Sequence, residues 1–217
     1  MSVPAVKGRR RRARRGQGDR LREEILEAAE RLLVETGDEE AVSIRSVAEA
    51  VGVTPPSIYL HFADKNELMF AVCERQFVRL DRVLEEAAAG SDDPLESLRL
   101  RGRAYVRFGL ENPEHYRILF MGKPKSEPEG FDAERLRNMA SFDHLVDAVR
   151  RCMDAGAIPR QEPVFVALGL WAVVHGLTSL LISKPDFPWP NADALADHLC
   201  AVQVAGLGRM PGEPARG

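Results

Sequence analysis

Residues 43–68, SIRSVAEAVGVTPPSIYLHFADKNEL, constrain this chain more than any other stretch. They describe two short helices meeting across a glycine turn, with a third helix starting at once behind them. Ser43 is a natural N-cap, since its hydroxyl accepts from a free amide of the first turn. Ile44, Val47, Ala48 and Val51 recur at helical spacing and make one apolar face, leaving Arg45, Ser46 and Glu49 off it. Gly52 follows, where a left-handed residue ends the helix at little cost. Thr54 opens the second piece, and Pro55 and Pro56 fill its first two positions, where a missing N–H loses nothing. Ile58 points inward, with Ser57, Tyr59, Leu60 and His61 around the exposed side. A helix this short makes little core but suits a DNA major groove.

The rest of the chain reads as a run of helices. One spans about 19–36, with Leu21, Ile25, Ala28, Ala29, Leu32 and Leu33 on one face and Gly37 as its stop. Asp64 and Glu67 form a capping-box variant that opens a helix reaching about residue 88. Further helices are expected over about 93–111, 112–120, 132–155, 162–183 and 191–206, with a Pro- and Gly-rich loop at 122–130. Ala, Leu, Val, Glu and Arg dominate, and no alternating strand pattern between hairpin turns is found. The fold class is therefore all-α.

Charge is distributed unevenly. Lys7, Arg9, Arg10, Arg11, Arg12, Arg14 and Arg15 put +7 into the first eighteen residues, leaving −10 on the remainder of a chain with net charge −3. DNA would repel such a body as a whole, so contact is expected only at the arm and the helix-turn-helix. The arm reads as a solvated tail that contacts phosphates or lays arginines in a minor groove. Cys73, Cys152 and Cys200 are odd in number and far apart, so no disulfide framework is expected and a reducing cytoplasm fits. The first residues have no apolar core of a signal peptide.

Residues 164–183 carry no formal charge and are long enough to span a bilayer. No basic cluster flanks them, so a buried or interface helix is the preferred reading. Gly169, Ala172, Gly176 and Ser179 form a small-residue stripe that would let another helix approach closely. The histidines and cysteines make no metal-ligand spacing, and no G-x-S-x-G elbow, phosphate loop or dinucleotide fingerprint occurs. No enzyme, cofactor or metal is expected.

Residues 20–72 closely resemble the DNA-binding domain of TetR-family transcriptional regulators, in which the Tyr-x-x-Phe ending and the following Lys are characteristic. Here these are Tyr59, Phe62 and Lys65. Pro56 stands where relatives often have glycine, and Leu60 where they often have a basic or polar residue. Farther on, AYVRFGLENPEHYRILFM and LWAVVHG look like a subgroup with a Trp…His-Gly signature, Trp171, His175 and Gly176 here.

The charge pattern marks a disordered basic arm over 1–18, and the resemblance implies a DNA reader over 19–70 and a helical ligand and dimer domain over 71–210. It implies a homodimer on a palindromic operator, released by a small molecule. A constitutive DNA-binding protein without a ligand is the alternative. Thr54, Ser57, Tyr59 and His61 are the expected base and phosphate contacts, with Pro55, Pro56 and Leu60 placed for thymine methyls. Ser43, Tyr59 and Lys65 would hold phosphates, and Arg45 either. Tyr105, Phe108, Tyr116, Phe120, Met139, Phe142, Leu145, Trp171 and His175 are the pocket candidates.

Overall fold

The computed structural model describes residues 17–120 and 140–207. The arm with Arg9, Arg10, Arg11 and Arg12, the expected loop at 122–130, residues 132–139 of the expected seventh helix, and the C-terminal tail lie outside them. Among the described residues there are nine α-helices, a short 3-10 turn at Glu39–Ala41, and no strand. The helices are α1 (Gln17–Thr36), α2 (Ile44–Val51), α3 (Pro55–Ile58), α4 (Lys65–Ala88), α5 (Pro94–Glu111), α6 (Pro113–Phe120), α7 (Ala140–Asp154), α8 (Pro163–Ser183) and α9 (Ala192–Leu207).

The helix boundaries come from local chemistry. Asp93 caps α5 by accepting from the Glu96 amide, and Glu162 caps α8 by accepting from that of Val164. The Asn191 carboxamide oxygen takes the Ala194 amide at 2.9 Å in front of α9. At α4, Asp64 accepts from the Glu67 amide at 2.8 Å, but the Glu67 carboxylate reaches back to the amide of Ala63 rather than to that of the cap. Gly37 and Gly52 end α1 and α2 at φ of 62° and 76°, a region that β-carbon-bearing residues rarely enter.

The chain divides into two compact units after Val72, within α4. In the first, α2 packs on both α1 and α3. Its buried side chains include Ile25, Ala28, Ala29 and Leu33 of α1, Val47 and Ala48 of α2, and Ile58 of α3, with Phe62 behind them. The Arg22 guanidinium lies 5.0 Å from the centre of the Phe62 ring.

In the second unit α5 and α8 pack on each other and on both α7 and α9. One apolar cluster gathers Leu80, Leu84, Val106, Phe108, Leu177 and Leu181; another joins Leu98, Val149, Cys152, Val166 and Ala167. Arg99, Arg103 and Arg107, one turn apart on α5, pair with Asp193 and Asp197, one turn apart on α9. Such half-exposed pairs contribute roughly 0–1 kcal/mol each, so they set register more than stability.

Helix α8 is long and apolar enough to cross a membrane by length and composition. One of its faces is buried in the unit's core through Ala167, Leu170, Val174, Leu177 and Thr178. Its other face carries the small-residue stripe, and among the described residues no other helix packs close at its two glycines. A β-carbon built at Gly169 or Gly176 meets nothing within 4 Å. The close approach of this kind occurs instead at Gly109 of α5, where a β-carbon would sit 2.3 Å from Thr178 of α8 and 3.0 Å from Tyr116. The sequence pattern missed it because one glycine, not a stripe, marks the site.

Candidate DNA interface and ligand cavity

The first unit presents a rigid, capped turn with an exposed second helix. Ser43 Oγ accepts from the Ser46 amide at 3.0 Å, and Ser46 Oγ accepts from the Ser43 amide at 2.9 Å, a reciprocal box with serine in the Glu position. Arg45 extends from the same helix into solvent. Thr54 stands at the N-cap of α3 but makes no side-chain cap bond; its hydroxyl meets that of Ser57 at 3.2 Å. Pro56 lacks the amide that such a cap would take, and the Ser57 amide donates to the Thr54 carbonyl at 2.8 Å instead.

Helix α3 ends at Ile58, sooner than the sequence pattern indicates. Tyr59, Leu60 and His61 continue as turns, closed by bonds from the His61 and Phe62 amides to the Ile58 carbonyl. Ile58 and Phe62 are buried, while Tyr59 is 53% and Leu60 83% exposed. Leu60 therefore takes no part in the core. Lys65 Nζ donates to the Glu39 carbonyl at 2.7 Å, which ties the start of α4 to the turn before α2. Ser43, Thr54, Pro55, Pro56, Ser57, Tyr59, Leu60, His61 and Lys65 all lie in this one stretch of surface chain, alongside Arg45.

The second unit holds a cavity of about 210 Å³. Leu84 of α4, Tyr105 of α5, Leu145 of α7, Leu170 and Trp171 of α8, and Cys200 of α9 all border it. Of the nine pocket candidates, Tyr105, Leu145 and Trp171 line it, and Met139 lies outside the described residues. Phe108 is core. Phe142 packs edge-on to Trp171 at 6.3 Å.

Tyr116, Phe120 and His175 form an aromatic cluster beside Tyr105 and Trp171. Tyr116 OH lies 2.6 Å from His175 Nδ1, Tyr105 OH 3.2 Å from the same nitrogen, and Trp171 Nε1 donates to Tyr105 OH at 3.2 Å. Burial raises the Tyr105 and Tyr116 hydroxyl pKa values and lowers that of His175. All three are therefore neutral near pH 7, and Tyr116 OH also donates to the His175 carbonyl at 3.2 Å. This network holds one wall of the cavity rigid through two buried phenols.

Sequence reading missed Arg101 and the α9 contribution. Arg101 is only 3% exposed and lines the cavity, with Nη1 bonded to Glu85. Its signal was available: Leu98, Arg101 and Tyr105 step i, i+3, i+7 along the buried face of α5. Burial and then Asp197 raise the Cys200 thiol pKa, so it borders the cavity as a neutral, soft group. No spacing signalled the cluster of Asp81, Glu85 and His144. It joins positions from two helices, and His144 Nδ1 lies 2.9 Å from Asp81. Its two carboxylates are engaged, Asp81 by His144 and Glu85 by Arg101. Burial opposes the Glu85 carboxylate, yet the Arg101 hydrogen bond and charge leave its pKa below the usual value.

A capped helix-turn-helix with an exposed short second helix, followed by a helical unit enclosing a cavity, defines a DNA-binding regulator. Residues 25–72 match the family model described as bacterial regulatory proteins, tetR family, and residues 98–203 that of the tetracyclin repressor-like C-terminal domain. The HTH-type transcriptional repressor AcnR of Corynebacterium efficiens is 30% identical over 168 residues, 74% of this chain and 81% of that protein. The HTH-type transcriptional activator FasR of Mycolicibacterium smegmatis is 28% identical over 166 residues, 76% and 74% of the two chains. A solved structure of a protein of unknown function from Rhodococcus sp. RHA1 superposes with a TM-score of 0.75 at 26% identity, covering 87% of this chain and 96% of that one. The chain belongs to the TetR family; it is a DNA-binding transcriptional regulator and not an enzyme.

Proposed function

We propose that the protein is a cytoplasmic homodimeric repressor, released from a palindromic operator when a small molecule enters the second unit. The observation that carries this reading is the 210 Å³ cavity, bordered by Leu84 of the same helix that begins at Lys65 behind the reader. A ligand that alters the packing of α4 changes the spacing of two readers in a dimer. Their fit to successive major grooves changes with it. A constitutive DNA-binding protein would have no use for such a space, which favours the ligand-responsive reading over it.

In this reading residues 19–70 read DNA, 71–210 hold ligand and dimer surfaces, and Arg9–Arg12 of the arm add phosphate or minor-groove contacts. Thr54, Ser57, Tyr59 and His61 contact bases and phosphates, Pro55, Pro56 and Leu60 thymine methyls, and Ser43, Arg45 and Lys65 the backbone. The exposed apolar residues of α8 and α9, Phe165 at 75% and Val202 at 55% among them, support a surface that a second copy covers.

One short helix reads too few bases alone, so two are needed with half-site centres about 34 Å or a multiple apart. Operator fragments selected from genomic DNA by the purified protein test this. Palindromic fragments bound by two chains are expected, and tight binding of one chain to a single half-site would overturn the dimer. The same fragments, retained equally with and without cell extract metabolites, would overturn ligand release.

A further inference from the structure

We propose that the cavity of the second unit takes a small uncharged molecule, about one ring in size with an apolar body, and turns away charged molecules of the same shape. This rests on the ligand reading above and names the class of ligand. Leu84, Leu145, Leu170 and Val174 border the space together with Trp171, and Cys200 adds a neutral thiol. An apolar cavity of about 150 Å³ stays dry and admits benzene. The cavity here is about 210 Å³, which accommodates one ring with a short substituent.

The charged residues bordering the space offer a ligand nothing. Arg101 gives Nη1 to Glu85, and its Nε and Nη2 have next to no accessible surface, so it presents no donor to the cavity. Glu96 pairs with Arg99, and Arg99 also meets Asp197. Asp93 accepts from the Glu96 amide and is exposed, where water screens its charge. Even the Tyr105 hydroxyl is engaged, accepting from Trp171 Nε1. A carboxylate or an ammonium that entered would lose its hydration and meet no partner in return, a cost that a neutral molecule escapes.

Gly102 is an independent sign that the space is kept open. It lies inside α5, where glycine weakens a helix relative to alanine. A β-carbon at this position would sit 3.1 Å from Cys200 Sγ and 3.5 Å from Val174 Cγ1, both on residues that border the cavity. Gly102 borders it too, so any side chain there takes up room that a ligand would use.

Trp171 borders the cavity, and the chain has two tryptophans, so full-length protein carrying Trp189→Phe reports occupancy through Trp171 fluorescence. Toluene, ethylbenzene and benzyl alcohol are titrated beside benzoate and benzylammonium, charged molecules of matching size. At least one neutral ligand is expected to saturate and to bind about tenfold or more tighter than either charged one. Gly102→Val should weaken that binding about tenfold or more by filling the space, with an unchanged circular dichroism spectrum. If that variant fails to fold, Val204→Phe fills the space from a half-buried position and should show the same loss. Neutral ligands that never saturate, charged ones that match them, or binding that survives the filling overturn the proposal. Neutral-ligand binding that leaves affinity for the selected operator fragments unaltered upholds it and removes ligand release instead. Operator release by a charged molecule, with no preference for neutral ones, does the reverse.

Discussion

The two units reach rigidity by different routes. In the first, the caps and turns that shape the reader are held within a few residues, as in the Ser43–Ser46 box, Gly52 at φ 76° and the turn from Ile58 to Phe62, and the Lys65–Glu39 bond adds one longer tie. In the second, the cavity joins α4, α5, α7, α8 and α9, and its polar contacts span long sequence distances, such as Tyr116 to His175 and Arg101 to Glu85. A reader must present one surface unchanged, and local bonds suffice for that. A cavity that responds to a ligand has to be built from elements able to shift against one another.

Four measurements test this contrast, the largest effect first. Tyr116 is wholly buried and joins Phe120, Tyr105 and His175, so Tyr116→Ala should cost about 3–5 kcal/mol in denaturant unfolding. A loss under 1 kcal/mol would mean that the aromatic cluster does not hold the second unit together.

The two kinds of glycine sharpen the point. Gly109→Ala drives a methyl into Thr178 and should cost about 1–3 kcal/mol. Gly176→Ala meets nothing and should leave the protomer's fold intact. A bulky Gly176→Leu acts on the proposed dimer instead, and sedimentation should show it splitting. Mutants at both positions that are equally unstable as monomers would erase the distinction.

In the first unit, Ser43→Ala removes one cap and should cost about 1 kcal/mol, a local effect. A loss as large as that of Tyr116→Ala would show the reader to depend on more than its local bonds.

The smallest effect concerns pH. His175 has a folded pKa below its unfolded value because of burial, so the unfolded chain binds the proton first. Stability is then undiminished above about pH 6.5 and falls as pH drops from there toward the folded pKa. His175→Asn should flatten that part of the urea midpoint against pH. An unchanged slope would assign the titration to other groups.

The legible part of the molecule follows the same division. Starts and stops were readable because caps, prolines and glycines act on their own neighbours: Asp93, Glu162 and Asn191 all sit where their helices begin. The reader's surface was readable for the same reason, down to the inward turn of Ile58. The end of α3 was not, since Tyr59 to His61 have helical spacing but close as turns around the buried Phe62. Pocket residues were readable only as large apolar and aromatic types, and so Phe108 and His175 were grouped with Tyr105, Leu145 and Trp171, although of these five only the last three border the space.

Composition and local pattern determined that this chain is helical and that a capped helix-turn-helix precedes a long apolar helix, and the resemblance those motifs carry put it with DNA-binding regulators. These are properties of residues a few positions apart, and the energies that set them are local. Tertiary packing decided the rest. It turned the Gly169–Ser179 stripe outward, set Gly109 against Thr178, and closed a cavity from five helices. It also buried Arg101 with two donors unanswered. Each of these depends on which faces of distant helices meet, and no spacing along the chain encodes that meeting.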